Sequence, residues 1–176
     1  MTSSETERIE TERLYLRRIA LTDIDDMLRN WIADADVQTR YGEPAYTTAQ
    51  DVADLLQNKW LRQYRWGIIW KETGENIGHV SFCHIHEAEN AAEVEYCIGK
   101  RFWGQGIVPE ALCAFIPYTF AHTPITDIQA FHHAENPASG RVLQKAGLRR
   151  VDTILRFADR AKAPDGCICY AITKES

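Results

Sequence analysis

The stretch from Ala92 to Leu112 constrains this chain more than any other. Glu93-Val94-Glu95-Tyr96-Cys97-Ile98 alternates with the period of two that a strand imposes, so Val94, Tyr96 and Ile98 face one way and Glu93, Glu95 and Cys97 the other. Gly104 and Gly106 then flank a single residue, and the helix-like run Ile107-Val108-Pro109-Glu110-Ala111-Leu112 follows at once. Glycine tolerates positive φ, so such a turn lets successive amides point at one anion, with the positive end of the next helix behind them. A strand, a two-glycine turn and a helix in that order predict a pyrophosphate cradle. The turn alone also fits an ordinary strand-to-helix bend, and its context decides between the two.

That context is a chain of 176 residues, 45% hydrophobic and 26% charged, long enough for one domain over residues 1–176 with a proper core. A net charge of −5 gives no broad positive field for nucleic acid, and makes a cationic or neutral partner electrostatically easier. Five cysteines, Cys83, Cys97, Cys113, Cys167 and Cys169, are an odd number without C-x-x-C spacing. Each has apolar neighbours, which predicts mostly reduced core thiols and a cytoplasmic setting. Met1-Thr2-Ser3-Ser4-Glu5 is polar and acidic where a signal peptide is basic and then apolar, and no apolar run reaches membrane-spanning length. The expectation is a soluble protein with no membrane partner.

Arg13 to Ile19 alternates as a half-buried strand. Thr22 is expected to cap a helix carrying Ile24, Met27, Leu28, Trp31 and Ile32 on one stripe, and a second helix from about Thr47 carries Val52, Leu55, Leu56 and Trp60. Trp66–Trp70 and Ile77–Ile85 read as a hairpin about Thr73-Gly74-Glu75-Asn76. After the glycine turn, a helix from Val108 to about Ala121 tolerates Pro109 in its first turn and is expected to kink or shorten at Pro117. Ile125–Phe131 is a strand, and Asn136-Pro137 starts a helix that ends at Gly147. Leu148–Phe157 and Cys167–Thr173 close the chain as strands around Pro164-Asp165-Gly166. The predicted order is βααβββαβαββ, an α/β (α+β) fold.

Four separated pieces resemble the GNAT acetyltransferase superfamily, and within it the branch like the RimJ/RimL ribosomal-protein N-terminal acetyltransferases. Arg101-x-x-Gly104-x-Gly106 is similar to the family's Q/R-x-x-G-x-G/A loop, and Trp103-Gly104-Gln105-Gly106 with Glu110-Ala111 to the branch form W-G-x-G-x-x-x-E-A. Ala92 to Ile98 resembles the preceding strand, A-E-I/L-G-Y-W-I. Asn136-Pro137-Ala138-Ser139 with Val142 to Leu148 resembles N-x-x-S, a hydrophobic pair, and K-x-G-F. Thr11-Glu12-Arg13-Leu14-Tyr15-Leu16-Arg17 is similar to the opening T-E-R-L-x-L-R. The resemblance implies a mostly antiparallel, splayed central sheet holding acetyl-CoA as cosubstrate. It also implies transfer to a primary amine, preferably a protein N-terminus, and a monomer or homodimer. Small-molecule amines remain an alternative acceptor, and a non-catalytic acyl-CoA sensor an alternative function. Glu95 stands where the family usually has Gly, Leu148 where it favours Phe, and Leu143 where many members place a tyrosine general acid.

Acetyl transfer to an amine needs a base, donors for the thioester oxygen and a proton for the departing thiolate. Glu93 and Glu95 share a strand face and are the candidate bases; the resemblance favours Glu93, with Glu95 as an acceptor-side residue and a solvated edge position the competing reading for either. Backbone amides around Cys97 and Ile98 are the oxygen donors that the resemblance implies. Ser139 is its implied proton donor, although Asn136 as N-cap, Pro137 at the first helical position and Ser139 in the first turn are also plain helix-start chemistry.

For the cofactor, Gly104 and Gly106 permit close approach, and the amides from Trp103 through Gln105 and Ile107 to Val108 hold the pyrophosphate. Arg101 adds charge or is simply a surface arginine, and Asn136 and Ser139 touch the cofactor. The first two helices and their connection form the acceptor side, where Trp31 reads as core and Tyr41 and Tyr46 as open walls. No metal is expected: His79, His84, His86, His132 and His133 lack a second cluster at ligand spacing. A dinucleotide-binding fold is excluded by Pro109 in place of a third glycine and by the missing βαβ start, and a serine-hydrolase triad by the missing nucleophile elbow.

Overall fold

Residues 7–158 and 163–175 are described in a computed structural model of the chain. Eight strands, β1 (Arg8–Glu10), β2 (Leu14–Arg18), β3 (Arg65–Trp70), β4 (Asn76–His86), β5 (Ala91–Ile98), β6 (Asp127–His133), β7 (Arg149–Val151) and β8 (Cys167–Thr173), hydrogen-bond in the order β1-β2-β3-β4-β5-β6-β8-β7. Five helices accompany them: α1 (Ile24–Asn30), α2 (Ala35–Tyr41), α3 (Ala49–Asn58), α4 (Ile107–His122) and α5 (Pro137–Lys145). The sheet is mostly antiparallel, with β5 and β6 running parallel. Packing divides the chain into two units, one of residues through Ser81 with Tyr96–Ala114, the other of Phe82–Glu95 with the residues from Phe115 onward.

In the first unit, the apolar stripes of α1 and α3 meet. Met27, Trp31, Ile32, Val52, Leu56 and Trp60 are buried together with Ile19, Val37 and Cys97, and the Trp31 and Trp60 rings stack with centroids 6.0 Å apart. Trp31 is therefore core, as its helical spacing indicates. Its indole N–H donates to Asn76 Oδ1, which satisfies the one polar atom the ring buries. His79, fully buried, lies 5.1–5.3 Å from the Trp31, Tyr41 and Trp60 rings, and the Arg65 guanidinium approaches it at 2.9 Å.

Several elements differ from the sequence reading. Strand β1 precedes the expected first strand and pairs with it through Arg8–Glu10. The region between the first two expected helices forms a third, α2, capped by Asp34, whose side chain accepts from the Asp36 and Val37 amides, and closed by Gly42 at φ 86°. Thr22 does not cap α1: the Asp23 carboxylate accepts from the Ala20 amide and pairs with Arg17 at 2.6 Å. Thr48 caps α3 by accepting from the Asp51 amide.

The second unit is built on β6, buried at Ile128 and Ala130 and paired along its whole length with β8. On the other side, the ladder to β5 covers only Ala91–Glu93 against Asp127–Gln129, so within this unit β6 outruns its parallel partner. Helix α4 runs to His122 with Pro117 inside it, so the proline that was expected to kink or shorten the helix does not shorten it. The expected strand Leu148–Phe157 is three residues of β7 followed by a 3-10 turn at Leu155–Phe157. Gln129 causes the break, because its side-chain oxygen takes the Leu155 amide at 2.8 Å and draws the backbone off the ladder. The five cysteines form no disulfide, but Cys113 is exposed and Cys83 and Cys167 are half-buried, so only Cys97 and Cys169 are core thiols. No helix among the described residues is long and apolar enough to cross a membrane.

Candidate functional site

Gly104 and Gly106 both lie in the left-handed region, at φ 74° and 73°, immediately before α4. Side chains rarely adopt that conformation, so the alternation of two glycines around Gln105 is what bends the chain into the helix start. Among the described residues, the amides of Gly104, Gln105, Gly106, Ile107 and Val108 take up no hydrogen bond within the protein. These five donors lie at the start of a sixteen-residue helix, where the helix dipole favours an anion. The side chains around them are committed elsewhere. Trp103 donates its indole N–H to the Ile98 carbonyl at 3.0 Å, and Gln105 its amide to the Arg101 carbonyl at 2.9 Å.

Arg101 donates through Nη2 to Asn30 Oδ1 at 2.8 Å and Glu75 Oε2 at 3.3 Å, which ties the loop to α1 and the β3–β4 turn. One cation beside this loop is Arg13, whose Nη2 lies 3.8 Å from where a Cβ on Gly106 would stand. Its amide and Nε donate to Glu110 at 2.9 and 2.6 Å, its Nη1 donates to the Gln105 carbonyl at 3.0 Å, and Thr11 Oγ1 donates to the same Glu110 carboxylate at 2.6 Å. Partial burial by itself would raise the Glu110 pKa, but these hydrogen bonds outweigh it and hold the group below its ordinary value. The Thr11-Glu12-Arg13 and Glu110-Ala111 motifs, nearly a hundred residues apart, are thus the two halves of one ionic knot.

In the second unit, Glu93 is 4% exposed, which rules out the solvated edge reading for it. Its Oε1 accepts from Arg156 Nη1 at 2.9 Å and from Cys83 Sγ at 3.4 Å; its Oε2 is buried with no hydrogen-bond partner among the described residues. Arg156, from the 3-10 turn after β7, reaches His84 Nε2 at 2.7 Å with its other nitrogen and lies 5.3 Å from the centre of the Phe131 ring. Cys83, His84 and Glu93 bring a thiol, an imidazole and a carboxylate within 4.8 Å of one another, donor types that a transition metal takes. Arg156 already holds two of the three. Burial pushes the Cys83 thiol well up, with Glu95 and Glu93 adding to it, which disfavours the thiolate a metal needs. The set is a hydrogen-bonded ion pair in which a guanidinium stands where a metal would.

Asn136 sits at the N-cap of α5 with Pro137 behind it, and the Ser139 amide donates to the Asn136 carbonyl; the Asn136 side chain makes no cap bond. The cap chemistry proposed as the bland account of this motif is therefore only half present, and both side chains are half-buried. Next to Ser139, Gly140 is required by close packing: a Cβ there would lie 2.6 Å from His132 Nε2 and 2.9 Å from the Tyr170 hydroxyl. Leu143, at the position where the resemblance would place a tyrosine, is fully buried.

Cys97 and Ile98 are buried; the Cys97 sulfur belongs to the first unit's core and accepts from Gln38, so its side chain is packing material. Tyr41 is half-buried and its hydroxyl accepts from Arg65 at 3.2 Å, more enclosed than the open wall expected; Glu95 and Tyr46 are also half-buried. The contacts of Arg13, Glu110 and Arg156 are not legible in the sequence because their partners are distant along the chain. The T-E-R and E-A motifs were signals for the first two, and nothing local marked Arg156.

Residues 13–149 match the family model described as an acetyltransferase (GNAT) domain. The chain is 30% identical over 161 residues to an uncharacterized N-acetyltransferase, p20, of Bacillus licheniformis, covering 89% of each chain. Among solved structures, it is similar to the ribosomal alpha-N-protein acetyltransferase RimL in complex with coenzyme A, with a TM-score of 0.71 and 21% identity, covering 96% of this chain and 98% of that one. It is likewise similar to the spermidine N-acetyltransferase of Vibrio cholerae in complex with CoA and spermine, with a TM-score of 0.73 and 15% identity, covering 93% and 97%.

Proposed function

The chain belongs to the GNAT acetyltransferase family and is an acyltransferase, and from that premise we propose that it moves an acetyl group from acetyl-CoA directly to a protein or peptide N-terminal α-amine, as a RimJ/RimL-like enzyme of the cytoplasm. In this reading both units act as one acetyltransferase domain, as monomer or homodimer. The observation that carries it is the row of unpartnered amides from Gly104 to Val108, which suits the diphosphate of coenzyme A.

Acetyl-CoA, when bound, supplies an activated acetyl thioester, so the chain has only to bind, orient and move protons. The loop amides and the start of α4 hold the phosphates. Glu93 removes the proton that an α-ammonium must lose before it attacks: Oε2 is the unpartnered oxygen, while Arg156 fixes the carboxylate through Oε1. Ser139 Oγ supplies a proton to the leaving sulfur, Asn136 contacts the pantetheine side, and the Cys97 and Ile98 amides serve the acetyl oxygen. Tyr41 and Glu95 line the acceptor. An α-amine is favoured over a polyamine because Arg156 already balances the Glu93 charge, which leaves less negative potential there for a polycation.

The test is an acceptor screen by mass spectrometry with acetyl-CoA, N-terminal peptides, spermidine and free amino acids side by side, with thiol release followed in parallel. Acetylated peptide α-amines are the expected product. Acetylation confined to spermidine or amino acids overturns the acceptor assignment, and coenzyme binding without thiol release from any mixture overturns catalysis.

A further inference from the structure

We propose that Arg13, on the second strand of the fold, binds a phosphate of the coenzyme directly through Nη2, acting as the side-chain arm of the backbone cradle. The inference rests on the reading of that cradle as a coenzyme A site, and it deepens that reading by supplying the charge that Arg101 was expected to bring. Arg13 Nε and its amide are held by Glu110, and Nη1 by the Gln105 carbonyl, so the planar fork is fixed in orientation before any ligand arrives. Nη2 has no hydrogen-bond partner among the described residues, and it lies 3.8 Å from the point where a Cβ on Gly106 would stand. The one free corner of an anchored guanidinium therefore sits beside the same loop whose amides are free. Of the other cations, Arg101 is tied through Nη2 to Asn30 and Glu75, Lys100 pairs with Asp36 at 2.6 Å, and Arg40 lies over the Trp103 ring at 5.0 Å.

An ion-paired arginine still donates charge-assisted hydrogen bonds, and its fork lets one edge bind Glu110 while the other meets a phosphate oxygen. Lysine cannot do both, because its single ammonium would have to choose. The knot thus has two functions in one residue: Glu110 orients Arg13, and Arg13 extends the anion site.

Titration calorimetry with coenzyme A at several salt concentrations tests this on the wild type and on Arg13→Gln, Arg13→Lys and Glu110→Gln, with the melting temperature of each unliganded protein measured alongside. Arg13→Gln is expected to weaken binding at least about tenfold and to flatten its salt dependence. Arg13→Lys should lose less, and Glu110→Gln, which keeps the cation, should keep the salt dependence. Wild-type affinity in folded Arg13→Gln overturns the inference. So does equal weakening in Arg13→Gln and Glu110→Gln with an unchanged salt slope, which makes the residue a mere brace. If Arg13→Gln does not fold, Arg13→Lys carries the same test: unchanged affinity overturns the proposal. Failure of the wild type itself to bind coenzyme A sinks the cradle reading instead.

Discussion

Glu93 is a carboxylate that the fold has buried and then only half satisfied. A buried carboxylate is costly unless paired, and Arg156 supplies the pairing on one oxygen while the other has no donor among the described residues. Glu93→Gln keeps the shape and removes the acceptor charge, so acetyl transfer at neutral pH should fall by about 10² to 10⁴ while coenzyme affinity stays within about twofold. Steady-state kinetics beside calorimetry reads both, and an unchanged rate across the pH profile retires Glu93 as the base. Arg156→Gln should lower the melting temperature, and the double variant should recover part of the loss, with a coupling of about 0.5–3 kcal/mol because the two side chains touch. Independent, additive effects would show that the ion pair does not hold the carboxylate. The strand pattern and the family resemblance favoured Glu93 over Glu95, and of the two it is Glu93 that the fold buries. Its burial was not legible, because the residue that makes it tolerable arrives 63 positions later.

At the scale of elements, what was readable followed from local chemistry. The β3–β4 hairpin came from a glycine turn between alternating runs, β5 from a clean period of two, and the bend before α4 from two glycines, which both have positive φ. Helix α2 escaped because its stripe is short, Val37 and Gln38 being its buried residues. The last strand pair was misread because Gln129 captures the Leu155 amide, a side-chain event that no periodicity encodes. Strand β4 also carries a titration that its sequence hides. Burial, helped by the Arg65 charge, holds the His79 pKa well below its ordinary 6.5. A depressed folded pKa means that the unfolded chain takes up the proton first as the pH falls. The contribution of His79 is therefore fully present above about pH 6.5 and is lost below it, by at most about 1.4 kcal/mol per pH unit. Melting temperatures between pH 7.5 and 5 should fall more steeply for the wild type than for His79→Gln, whatever packing that variant loses. Parallel slopes would show that the ring titrates normally in the folded state.

For the whole molecule, the decisive fact is that neither packed unit is a continuous segment. The chain passes from one to the other within β4 at Ser81–Phe82, within β5 at Glu95–Tyr96 and within α4 at Ala114–Phe115. Each passage lies inside a hydrogen-bonded element, so opening one unit requires breaking a strand or helix that also belongs to the other. Unfolding should accordingly be a single cooperative transition, although the chain contains two packing centres. A ligand that engages only the loop between Gly104 and Val108 must then stabilise all of the molecule. Binding at a hundred times the dissociation constant adds about 2.7 kcal/mol, and a chain of this length gains about 2–4 °C per kcal/mol. Saturating coenzyme A should raise the midpoint by roughly 5–11 °C without splitting the transition, in scanning calorimetry and by circular dichroism alike. A second peak that stays in place while the first moves would mean that the interleaved strands do not couple the two units. A single peak that does not move at all would mean that the free amides have another purpose.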